Sequence, residues 1–86
     1  MDEHEYRSQL EYMKKRLESQ CKVDIRGSGK SQFIFAKNNT GAVEISGNED
    51  GIWVEFWKGD SEIPIKDETF KDFASAINAS MVWLGF

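Results

Sequence analysis

Gly27-Ser28-Gly29-Lys30-Ser31 carries the residue types that cradle phosphate in nucleotide-binding loops. Such a loop works because backbone N–H groups and one lysine converge on the phosphates, with a helix N-terminus behind them. The full spacing is G-x-x-x-x-G-K-[ST], set between a strand and a helix. Counting back from Gly29-Lys30-Ser31, the first glycine belongs at position 24, which holds Asp24. A carboxylate there repels the ligand, and the residues that follow, "QFIFAK", read as strand. The stretch is expected to be a turn between strands, with Gly27 and Gly29 supplying positive φ. No nucleotide is expected at Gly27–Ser31.

The other chemistry-bearing residues are sparse. His4 is the one histidine, and no further ligands converge on it by spacing, so no metal site is expected. Cys21 is the one cysteine and continues an apolar stripe, which suits a buried, inert thiol. Asn48-Glu49-Asp50-Gly51 lacks the twelve-residue loop and terminal Glu of an EF-hand and reads as a turn. Asp60, Glu62, Asp67 and Glu68 read as solvated carboxylates. No serine, threonine or cysteine has an identifiable base and orienting group. The expectation is a chain with no catalytic residues and no cofactor.

These residues sit on a chain of 86, enough for one domain with a modest core. Hydrophobic residues make up 40% and charged residues 30%, which fits a folded, soluble chain. No apolar run reaches the roughly 20 residues of a membrane helix. The start has no basic segment followed by an apolar one, and a single cysteine cannot form an internal disulfide. A reducing, cytoplasmic location is expected. Net charge is −4 and uneven: eight Lys/Arg against six Asp/Glu in residues 1–37, then three against nine in residues 38–86. That balance disfavours nucleic acid as a partner, because phosphate contacts need a concentrated positive patch.

Tyr6, Leu10, Met13, Leu17 and Cys21 recur at helical spacing, so residues 3–20 are expected to form a helix. Asp2 and Glu3 sit at the positive end of its dipole. Four segments of period two follow, broken by "GSGKS", "KNNTG" and "GNEDG". Breaks this short hold no crossover helix, so the strands run antiparallel. Val23, Ile25, Phe33, Phe35, Val43, Ile45, Ile52, Val54 and Phe56 are assigned to one apolar face. Pro64 argues against a central strand in "KGDSEIPIKDE", though a short edge strand near Ile63–Ile65 fits. Phe70, Phe73, Ala74, Ile77, Met81 and Leu84 form a second helical stripe, with Asp67 as the expected N-cap. The predicted fold is α+β: α-β-β-β-β-α, a four-stranded antiparallel meander with both helices on one face.

That arrangement isolates one surface. If Ile52, Val54 and Phe56 face the helices, Trp53, Glu55 and Trp57 face away. By the same parity Ile34, Ala36, Arg26, Lys22, Asp24 and Glu44 join them. Tryptophan and arginine in a mixed surface are the residues that dominate binding energy. The candidate partner-binding set is Trp53, Glu55, Trp57, Ile34 and Arg26, serving a protein partner or a second copy of the chain as a homodimer. The element order also resembles the α-β-β-β-α of double-stranded-RNA-binding domains, with one strand added. The resemblance implies RNA binding as the alternative function. Those domains place lysines at the start of the second helix, where this chain has "DETFKDFASAIN", one lysine among three acids.

Overall fold

The computed structural model describes residues 2–86. Helix α1 spans Glu3–Leu17, and the Asp2 carboxylate caps it by accepting from the Glu5 N–H at 2.8 Å. Five strands follow: β1 Lys22–Arg26, β2 Phe33–Lys37, β3 Gly41–Asn48, β4 Gly51–Lys58 and β5 Lys66–Phe70. Helix α2, Phe73–Trp83, closes the chain. The strands form one antiparallel sheet in the order β1-β2-β3-β4-β5.

The fifth strand corrects the four-strand expectation. Ile65 already donates to the Phe56 carbonyl at 2.7 Å, so pairing begins at the residue after Pro64. "KDETF" has no apolar alternation, so the sequence pattern assigns Asp67 to a helix cap where the structure has a strand. As an edge strand it is exposed on both sides, so burial imposes no period on it. Asp67 pairs with Glu55 in the sheet instead of capping a helix. The cap of α2 is Asp72, which accepts from the Ser75 N–H at 2.8 Å. With the added strand, the order α-β-β-β-β-β-α departs further from that of the RNA-binding domains.

Both helices contribute to one core. Leu10, Met13 and Leu17 from α1 and Phe73, Ala76 and Ile77 from α2 pack with Ile34, Ala36, Val43, Ile45, Ile52, Val54 and Phe56 of the sheet. Burying a side chain of the Leu or Met class contributes about 1.5–3 kcal/mol each. Tyr6 is the polar member. Its hydroxyl donates to the Gln32 carbonyl and accepts from the Gly47 N–H at 2.9 Å. Burial pushes the Tyr6 hydroxyl pKa up, partly offset by the Gly47 hydrogen bond.

The phase of β2 differs from the alternation read in the sequence. Ile34 and Ala36 are fully buried, whereas Phe33 and Phe35 turn outward and are half-buried. "FIFA" is apolar on both faces, so composition alone does not fix its phase. The cross-strand register does. Ile34 lies opposite Ile25 and Ile45, while Phe33 lies opposite Arg26 and Ser46. Directly paired residues share a face.

Candidate functional site

The helices cover one face of the sheet and leave the other open. Register sorts that open face into three rows running across the strands. The first holds Arg26, Phe33, Ser46, Trp53 and Thr69. The second holds Asp24, Phe35, Glu44, Glu55 and Asp67. The third holds Lys22, Lys37, Ala42 and Trp57.

Of the candidate residues, Trp53, Glu55, Trp57 and Arg26 share this face, and Ile34 does not. Ile34 is fully buried under α1 and leaves the surface set, for the reason of β2 phase given above. Phe35 and Phe33 take its place. The signal that identifies them was present: Arg26 and Phe33 are directly paired across the first turn, so a solvated Arg26 puts Phe33 outward with it.

The aromatic side chains make a platform. Phe35 of β2 and Trp57 of β4 meet edge to face, with ring centroids 6.3 Å apart. They reach each other across β3. Ala42, opposite Trp57 on that intervening strand, is small enough to let the rings lean over it. Arg26 stacks over the Phe35 ring, its guanidinium carbon 4.7 Å from the centroid, and pairs with Asp24 at 3.3 Å. Each exposed contact of this kind is worth roughly 0.5–1 kcal/mol. Trp83, the third tryptophan, belongs to the other side. Its indole N–H donates to the Trp57 carbonyl at 2.7 Å and its ring lies 5.2 Å from Phe56.

The second row concentrates charge of one sign. Glu44, Glu55 and Asp67 lie directly opposite one another on β3, β4 and β5. Among the described residues none of the three forms an ion pair. The Glu55 carboxyl pKa is pushed up, first by burial between its neighbours, then by its hydrogen bond with Glu44 and the charges of Glu44 and Asp67. Trp53 and Trp57 stand beside Glu55 on the same strand and face, so the acid is flanked by indole rings.

The Gly27–Ser31 segment forms a turn. Gly27 and Gly29 have φ of 83° and 57°, in the region that favours glycine. A short 3-10 turn, Gly29–Ser31, leads straight into β2. The Gln32 side-chain amide closes the loop by donating to the Gly29 carbonyl at 2.9 Å, and the carboxylate of Glu3 lies beside Gly29. Cys21 is half-buried with Asn38 donating to its sulfur, and burial pushes the thiol pKa up. A surface depression of about 670 Å³ lies away from the aromatic face, between Tyr6, Lys30, Asp50, Lys71 and Phe73. Its rim carries both signs of charge. Among the described residues, no helix is long and apolar enough to cross a membrane.

No protein-family model, curated protein or solved structure matches this chain.

Proposed function

We propose that this chain is a small, non-catalytic interaction domain that binds a protein partner through its open sheet face. The observation that carries the reading is the aromatic platform of Phe33, Phe35, Trp53 and Trp57 on a face that neither helix covers. Half-buried tryptophans in a mixed charged surface supply large contact area with little side-chain entropy to lose. Isolated apolar residues on a surface are ordinary; here Phe35 and Trp57 are in contact and two further aromatics share the face with charged groups.

One feature favours binding over catalysis, and a second favours a protein partner over nucleic acid. Glu55, a carboxyl with a raised proton affinity, stands beside Glu44 on an open sheet face that water reaches. General acid–base chemistry works best in a cleft that excludes water around a positioned proton donor. The acids also set the face against phosphate, which weighs against the RNA-binding alternative.

The test is capture from an extract of the source cells, quantified by mass spectrometry, with wild type and Trp53→Ser/Trp57→Ser as bait. Circular dichroism establishes that the double variant keeps its fold. The expected result is a partner retained by wild type and lost from the variant. Equal recovery by both baits would overturn the reading.

A further inference from the structure

We propose that the occupant of the open face is a basic segment of another protein, one that inserts Arg or Lys side chains between Trp53 and Trp57 onto Glu44, Glu55 and Asp67. The inference rests on the interaction reading above and specifies the partner's chemistry.

Charge complementarity carries it. Like charges directly opposite one another in a sheet are destabilising, and this sheet places Glu44, Glu55 and Asp67 in one such row. Among the described residues no cation forms an ion pair with the row, although Lys22 and Lys37 share the open face one row away. Arg26 is held by Asp24 and Phe35. Lys66 points to the helix side, over Phe56 and Trp83, where it also pairs with Glu68. Among the described residues, Glu44, Glu55 and Asp67 therefore form an acidic strip without an ion-paired cation, bordered by aromatic rings. A guanidinium fits both parts at once: its N–H groups pair with carboxylates, and its plane stacks on an indole. An ammonium fits the same strip as a point charge with a cation–π contact.

Two other occupants fit poorly. A nucleic acid would bring phosphates against the acids. A second copy, docked face to face, would be related by a two-fold axis. An axis through the centre of the patch lays the acidic row against its own copy and doubles the repulsion.

The experiment selects a random-peptide library displayed on phage against three sparsely immobilised baits: wild type, Trp53→Ser/Trp57→Ser, and Glu44→Gln/Glu55→Gln. The glutamine variant removes like-charge repulsion and so is safe for folding. The expected result is enrichment of peptides rich in Arg and Lys on wild type. Affinity for those peptides should fall about tenfold or more on each variant, the size of effect that losing a central contact produces. Enriched peptides that are neutral or acidic, and that need the tryptophans but not the glutamates, would overturn the basic occupant and leave the interaction domain standing. Enrichment that survives the tryptophan substitutions, or no enrichment at all, overturns both.

Discussion

Two side chains tie distant parts of this fold together, and each does so by hydrogen bonds to backbone groups. Tyr6 joins α1 to the β1–β2 turn and to β3 through one hydroxyl. Tyr6→Phe keeps the ring in its buried place and strands the Gln32 carbonyl and the Gly47 N–H. The expected cost is about 1–3 kcal/mol, read as a lower urea midpoint, with faster hydrogen exchange at the Gly47 amide. An unchanged midpoint would mean that water replaces the hydroxyl. Asn38 plays the corresponding part at the other end of the sheet. Its carbonyl oxygen accepts from the N–H groups of Thr40 and Gly41 at 2.8 and 3.2 Å, while its amide donates to the Leu84 carbonyl at 2.8 Å. Asn38→Asp preserves the acceptor and loses the donor. It should hold the β2–β3 turn yet loosen the C-terminus, seen as enhanced exchange at Leu84–Phe86 with a stability loss of about 1 kcal/mol. Neither long-range tie is legible in sequence, because Gln32 and Gly47 lie far from Tyr6 along the chain and Leu84 far from Asn38; only the Asn38 turn bonds to Thr40 and Gly41 are local.

At the scale of elements, the pH dependence of stability carries contributions of opposite sign. The Glu55 carboxyl is raised, so the folded chain holds that proton more tightly than the unfolded chain does. Ionisation of Glu55 therefore costs stability at neutral pH, and the cost disappears as pH falls through its folded value. Asp72 is lowered, chiefly by the backbone N–H of Ser75. Its contribution to α2 is present above the unfolded carboxylate range and is lost as pH falls through its folded value. Glu55→Gln should stabilise the protein at pH 7 by about 0.2–1 kcal/mol, the size of a cross-strand pair. The gain over wild type should vanish in acid, as thermal melts across pH would show. A gain that persists in acid would assign the effect to packing. The same elements show where sequence reading succeeds. α1, β1, β3 and β4 were legible because one face of each is buried and the other wet, which imprints the period. β4 in particular put Trp53, Glu55 and Trp57 outward as its alternation requires. β2 is apolar on both sides and β5 polar on both sides, so neither imprints a phase. The same blindness hid Phe35 and Asp67 from the candidate site.

For the whole molecule, the question is what an open sheet face does when no partner is present. An aromatic face of this kind is an invitation to self-association, and the edges of the sheet are guarded by charge instead: Lys22, Asp24 and Arg26 on β1, and Lys66, Asp67 and Glu68 on β5. The face is guarded by the acidic row. Any symmetric face-to-face dimer centred on it opposes Glu44 and Glu55 to their own copies, in a protein whose net charge is already −4. Wild type should therefore show a molar mass independent of concentration at pH 7, by light scattering behind a sizing column. In Glu44→Gln/Glu55→Gln the platform remains and the repulsion is largely gone, so mass should rise with concentration toward a dimer. Adding Trp53→Ser/Trp57→Ser to that variant should return it to a monomer, which separates association through the face from association through the sheet edges. A wild type that is itself a stable dimer at pH 7 would place the contact away from the acidic row. Hydrogen exchange protection at the β1 or β5 edge would then locate it.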